Sequence, residues 1–145
     1  MKKYDQYLVK LCELVVTGQQ KNPKKYGMVG SCILDTNGNV VYAVSTNKNG
    51  KWRHAERNAI ARYESKHGSV NKDCILFTTL SPCNSDSDDR YGESCTDLIN
   101  ATPIRKVYAG YIDPTQHDNH EEFQLKITKD TSVKKVCKML ADTFL

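Results

Sequence analysis

The sequence has no apolar run approaching the ~20 residues that a membrane-spanning helix requires, so a helical span is not expected. It has no internal repeat, no low-complexity linker and no break in composition, which leaves one domain over residues 1–145 as the expected organisation. Its start, Met1-Lys2-Lys3-Tyr4-Asp5-Gln6-Tyr7, carries basic residues with no apolar stretch behind them. A secretory leader does not read this way, and the expected location is the cytoplasm. A basic or aromatic strip is missing too: lysines and arginines are spread along the chain and the net charge is only +4. Nucleic acid is therefore not the expected partner. The small surplus suits an anionic small molecule such as a nucleotide.

What is present reads as a globular domain, with 39% hydrophobic and 26% charged residues. The six cysteines divide into two groups. In a reducing cytosol, cysteines are small core residues or metal and catalytic groups rather than disulfide partners. Cys12, Cys32, Cys74 and Cys137 sit in apolar-periodic segments and read as core. Cys83 and Cys95 lie among polar residues and turn formers, where a core role is harder to defend.

Tyr4, Leu8, Leu11, Cys12 and Val15 recur at helical spacing, with Gly18 as the expected stop. Met28 to Leu34 and Val40 to Val44 are strand-like runs flanking Asp35-Thr36-Asn37-Gly38-Asn39, whose Asn-Gly pair marks a hairpin. A second helix is predicted from about His54 to Lys66, burying Ala55, Ala59, Ile60 and Tyr63, with Gly68 just past its end. Cys74 to Thr79 and Val107 to Ile112 read as strands, and Cys95 to Asn100 as a helix between them. The last segment places Val133, Val136, Cys137, Leu140 and Phe144 on one helical stripe. A hairpin followed by alternating strands and helices predicts an α/β fold, layered α/β/α around one mixed sheet.

Three short pieces carry chemistry: His54-Ala55-Glu56, Ser81-Pro82-Cys83 and Ser94-Cys95. Each alone is commonplace. A surface histidine, a first-turn acid and free thiols would account for them singly. Together they fall at one edge of the predicted sheet, where open α/β folds hold their sites. A catalytic zinc site takes three protein ligands and leaves the fourth tetrahedral position open, so His54, Cys83 and Cys95 are the candidate metal ligands. Ser94 and Asp97 form an N-cap and N3 pair, which puts Cys95 at the first position of a helix, where a thiolate is stabilised. Glu56 is the candidate proton carrier, close to the metal without ligating it. A closed structural site would need a fourth ligand, for which His117 and His120 are the other obvious candidates, in a stretch that reads as solvated.

At these residues the sequence resembles the cytidine and deoxycytidylate deaminase superfamily, whose signature is H-x-E followed by P-C-x-x-C. His54-Ala55-Glu56-Arg57-Asn58-Ala59-Ile60 and Thr79-Leu80-Ser81-Pro82-Cys83 look most like deoxycytidylate deaminases, and the likeness runs over roughly residues 5 to 115. It implies zinc on His54, Cys83 and Cys95, with Glu56 as the proton shuttle. It further implies substrate contacts from the backbone of Ala55 and Ser81 and from Asn47. Hydrolytic deamination of an aminopyrimidine follows, most of all a cytosine nucleoside or nucleotide such as deoxycytidylate, and a homo-oligomer by analogy.

One departure is plain: the family's two cysteines are usually two residues apart, and here eleven, Asn84 to Ser94, intervene. The riboflavin-pathway pyrimidine deaminase has a shorter insertion of this kind, and Asn22-Pro23 and Asp113-Pro114 echo it. Its glycine-arginine-threonine-proline-proline stretch is absent, so its phosphate contacts do not carry over. Asp86, Asp88, Asp89 and Glu93, opposed by Arg90, would repel a phosphate, whereas Lys48, Lys51 and Arg53 would attract one. Trp52 either stacks on a base or wedges against the hairpin, the more frequent outcome for a lone tryptophan. The alternatives are the riboflavin-pathway enzyme, a nucleic-acid base deaminase, or a zinc-stabilised binding module without turnover.

Overall fold

The computed structural model describes residues 3–83, 94–112 and 122–144. In chain order these form α1 (Asp5–Lys21), β1 (Tyr26–Leu34), β2 (Val40–Lys48), β3 (Lys51–Arg53), α2 (Ala55–His67), β4 (Ile75–Leu80), α3 (Cys95–Asn100), β5 (Lys106–Tyr111), β6 (Gln124–Ile127) and α4 (Thr131–Phe144). The strands make one sheet in the order β3-β2-β1-β4-β5-β6. β1 runs antiparallel to β2 and β4, while β4, β5 and β6 are mutually parallel, so the sheet is mixed. Among the described residues no helix is long and apolar enough to cross a membrane.

Strand alternation distributes the core between two layers. Neighbouring residues of a strand point to opposite faces, so β1 sends Ile33 to one side and Cys32 to the other, and β4 does the same with Leu76 and Phe77. On the first face, Ala59, Ile60 and Tyr63 of α2 and Ile99 of α3 pack on Ile33, Val41, Leu76 and Val107. On the second, Leu8, Leu11 and Cys12 of α1 and Val133 and Cys137 of α4 pack on Cys32 and Phe77. This is the expected α/β/α layering. Each fully buried aliphatic or aromatic side chain contributes about 1.5–3 kcal/mol by leaving water.

Two local expectations are corrected, and two short strands are not among those predicted. Helix α1 does not stop at Gly18 but continues to Lys21. A Cβ at Gly18 would lie 3.0 Å from Tyr26 Cβ, so this glycine admits a neighbouring ring rather than ending the helix. Val136 is 45% exposed and leaves the stripe of α4 that Val133, Cys137 and Ala141 bury. β3 and β6, with three and four residues, are too short to show a period of two in sequence.

The hairpin between β1 and β2 is built around Asp35. A two-residue Asn-Gly turn of type I′ needs positive φ at both positions, and only Gly38 has it, at +84°. Instead the Asp35 carboxylate accepts the N–H groups of Asn37 and Asn39, the Asn39 amide and the Tyr63 hydroxyl of α2, all at 2.8–2.9 Å. Burial alone would raise this carboxyl, but the hydrogen bonds from Asn39, Tyr63 and Asn37 outweigh it and hold the pKa down to about 2. A depressed folded pKa means that this contribution is fully present above the ordinary value of 3.8 and is lost as pH falls towards 2. Asp35→Ala is expected to lower unfolding free energy by about 1–3 kcal/mol at pH 7, measured by urea denaturation. The gap to wild type should narrow between pH 4 and pH 2.

Helix α2 also guards the sheet. β3 pairs only with residues 46–48 of β2, leaving the rest of that strand at the margin. The Asn58 amide donates to the carbonyl of Val44 at 2.9 Å, and Arg62 Nη1 donates to that of Tyr42 at 2.7 Å.

Candidate metal centre

The site forms where the strand direction changes. β1 and β4 pair only from Ser31↔Thr78 to Leu34↔Ile75, and beyond this the Gly30 N–H turns to the Thr79 hydroxyl at 3.1 Å. β4 stays with β5 instead, through Leu80↔Tyr111 and the Ser81 N–H donating to the Tyr111 carbonyl at 2.8 Å. The two strands part at the carboxyl end of β4, the kind of switch point at which open α/β sheets hold their sites.

Two helix starts meet at this point. His54 and Ser94 have nearly the same extended N-cap backbone, with φ/ψ of −69°/154° and −68°/154°. The Ser94 hydroxyl accepts the Asp97 N–H at 3.0 Å, the cap that the sequence predicts. His54 Nδ1 then lies 3.2 Å from Cys95 Sγ and 3.7 Å from Cys83 Sγ. All three candidate ligand atoms fall within 4.8 Å of one another. The long interval between the cysteines is closed by backbone contacts: the Cys95 N–H donates to Cys83 Sγ at 3.3 Å, and the Thr96 N–H to the Cys83 carbonyl at 3.1 Å. Among the described residues no other group of three histidine, cysteine or acidic side chains converges in this way.

The donor set fits a thiophilic cation of tetrahedral preference. A cysteine must lose its proton to ligate, and the hydrogen bond with Cys95, helped by His54 and the Cys95 N–H, holds Cys83 down to about 5 against the effect of burial. One imidazole and two sulfurs leave a fourth tetrahedral position, the arrangement of a catalytic rather than a closed zinc site. Glu56 lies against the cluster and is 3% exposed. Burial pushes its carboxyl up to about 7, with His54 pulling the other way and Cys83 adding to the rise.

The remaining expected residues are placed as follows. Ala55 is fully buried at the first position of α2, and Ser81 is 7% exposed at the end of β4. Asn47 pairs with Trp52 across β2 and β3 and donates its N–H to the Lys25 carbonyl at 2.7 Å. It lines a recess of about 640 Å³ with Asn22, Lys24, Lys25, Lys48 and Trp52. Lys48 thus meets the recess, while Arg53 lines a different groove, and Lys24 and Lys25 are contributions that sequence spacing did not reveal. Trp52 is the wedge: a Cβ at Gly27 would stand 2.9 Å from its ring, so the bare glycine makes room for the indole. The acidic residues Asp86, Asp88, Asp89 and Glu93, with Arg90, lie outside the described residues, as do Asp113-Pro114, His117 and His120.

The model of the cytidine and deoxycytidylate deaminase zinc-binding region matches residues 2–111 of the chain. No curated protein matches it. Among solved structures, a diaminohydroxyphosphoribosylaminopyrimidine deaminase/5-amino-6-(5-phosphoribosylamino)uracil reductase from Thermotoga maritima is similar, with a TM-score of 0.73 and 22% identity. That likeness covers 97% of this chain and 41% of the Thermotoga protein, so this chain spans less than half of its length. The dCMP deaminase of cyanophage S-TIM5, in apo form, is similar with a TM-score of 0.56 and 17% identity over 85% of this chain and 98% of that one. At these identities the two structures speak for the fold.

Proposed function

The chain belongs to the cytidine and deoxycytidylate deaminase zinc-binding family, and from that premise we propose that it is a zinc-dependent hydrolytic deaminase of an aminopyrimidine, acting best on a cytosine nucleotide such as deoxycytidylate. The observation that carries this reading is the convergence of His54, Cys83 and Cys95 beside a buried Glu56. Zinc held by those three supplies Lewis acidity, lowering the pKa of water from about 15.7 to about 7.

Glu56 does the proton work. A carboxyl poised near neutrality both accepts and returns a proton at working pH. It takes one from the attacking water as the oxygen adds to the amine-bearing carbon and passes it to the adjacent ring nitrogen. It then takes the remaining proton of the added hydroxyl and delivers it to the amine as the C–N bond breaks and the carbonyl forms, and ammonia leaves. Ala55, in the first turn of α2 where N–H groups lack intrahelical acceptors, is read as presenting its N–H to the amidine edge. The Ser81 N–H is committed to Tyr111, so Ser81 is read as contributing its carbonyl. Asn47 is read as meeting the sugar.

The recess beside Asn47 supports a phosphorylated substrate. The antiparallel run of β1 puts the start of β1 and the ends of β2 and β4 at the same end of the sheet. At about 4.8 Å per strand, the end of β2, where the recess lies, stands roughly 10 Å across the sheet from the end of β4. Three lysines and no acid line it. Lys25→Glu combined with Lys48→Glu is expected to raise KM for deoxycytidylate by roughly tenfold or more while leaving deoxycytidine nearly unchanged, measured by steady-state kinetics.

A riboflavin-pathway pyrimidine is the second reading, favoured by the likeness to the Thermotoga protein over 97% of this chain. Ammonia release separates the two across cytidine, deoxycytidine, their monophosphates, free cytosine, guanine, single-stranded DNA and the riboflavin intermediate. Deoxycytidylate is expected to turn over fastest. Turnover of the riboflavin intermediate alone would replace the first reading with the second, and turnover of none by zinc-loaded protein would point to a binding module. The family analogy also leads us to expect a homo-oligomer, which sedimentation tests.

A further inference from the structure

Among the described residues, a pair of cysteines outside the metal centre is also in contact. Cys12 of α1 and Cys137 of α4 lie with their Sγ atoms 3.7 Å apart, although 125 positions separate them in the chain. They differ in access. Cys12, 8% exposed, lines an open groove of about 540 Å³ between the two helices, with Val9, Glu13, Val16, Val133 and Val136, whereas Cys137 is 1% exposed. Cys137 also packs closely on the sheet. A Cβ at Gly110 of β5 would stand 2.2 Å from its sulfur, so that glycine makes the space the sulfur occupies.

We propose that Cys12 and Cys137 are a peroxide-oxidisable thiol pair that closes to a disulfide joining the first and last helices. The chemistry is balanced by a hydroperoxide arriving through the groove. The Cys12 thiolate attacks one peroxide oxygen, the O–O bond breaks, and the departing oxygen takes a proton to leave as water or an alcohol, leaving Cys12 as a sulfenic acid. The Cys137 sulfur then attacks the Cys12 sulfur, the S–O bond breaks, and the hydroxide leaves as water with the Cys137 proton. Two thiols are oxidised and one peroxide is reduced. The groove selects the order: a small reagent meets Cys12 first, and Cys137 waits behind it as the resolving thiol. The hydrogen bond with Cys137 also lowers the Cys12 pKa against the effect of burial, whereas burial pushes the Cys32 thiol far up. Reducing compartments hold disulfides mostly as transient, sensing bonds, which is the role this geometry fits.

The test uses zinc-loaded protein, in which Cys83 and Cys95 are engaged by the metal. It is treated with hydrogen peroxide, quenched with N-ethylmaleimide and mapped by mass spectrometry. The expected product is a Cys12–Cys137 cross-linked peptide about 2 Da lighter than the separate thiols, reversed by dithiothreitol. Closing so long a loop should raise Tm by roughly 10 °C. In Cys137→Ser the cross-link and the Tm rise should vanish, and dimedone should label Cys12. The proposal fails if both thiols are still capped as free after peroxide has oxidised a reference peptide thiol. It also fails if Cys12 links to another cysteine, or if Cys137→Ser shows the same Tm rise. Should that variant not fold, the wild-type peptide map decides alone.

Discussion

Glu56→Gln is expected to bind zinc and fold as wild type does, yet to release ammonia at least about 10²-fold more slowly, and up to about 10⁴-fold. The amide has nearly the shape of the carboxyl, so the 3% exposed pocket is filled as before. What changes is proton traffic. A carboxyl whose pKa burial has raised to about 7 exchanges protons near neutrality, and an amide does not. Metal content by mass spectrometry and ammonia release, on the same preparation, separate the roles. Loss of zinc together with activity would make Glu56 a support of the metal site and end its assignment as proton carrier.

The second large effect is expected at the metal itself. Cys95→Ala should lower bound zinc from one per chain to nearly none after dialysis against a chelator, and deamination should fall to background. The alanine takes away one of three donors within 4.8 Å of each other. It also removes the principal influence holding Cys83 down to about 5, so the second sulfur becomes a poorer ligand as well. A metal that binds only the folded chain adds its binding free energy to stability, so losing a thiolate should weaken both binding and folding. A chelator should lower the Tm of wild type and leave that of Cys95→Ala where it is. Retention of a full equivalent of zinc by Cys95→Ala would remove the sulfur from the ligand set.

Much of this arrangement was legible in the residues because local rules and the chemistry agree. The Ser94 and Asp97 pair announced a helix beginning at Cys95, and α3 begins there. The buried positions of α2 followed from the spacing of Ala55, Ala59, Ile60 and Tyr63. What was not legible depends on contacts between distant parts of the chain. Gly18 has the composition of a stop but serves as a contact for Tyr26. Lys10, Lys21, Arg53, Arg62 and Lys66 look dispersed in sequence, and the fold gathers them along one groove beside β2. The recess of Lys24, Lys25 and Lys48 arises in the same way, since β1 and β2 bring their far ends together. The approach of Cys12 to Cys137 required the two terminal helices to share a face, which no periodicity within either one specifies.

Asn58 and Arg62 have a consequence for assembly. The Val44 and Tyr42 carbonyls, already engaged by helix side chains, are closed to an incoming strand, so this stretch of β2 is a poor template for strand addition. The opposite flank is β6, four residues long, which gives a visiting chain little length to zip along. Mutating Asn58 to a residue without an amide would free the Val44 carbonyl, and the change should be felt first as aggregation at high concentration.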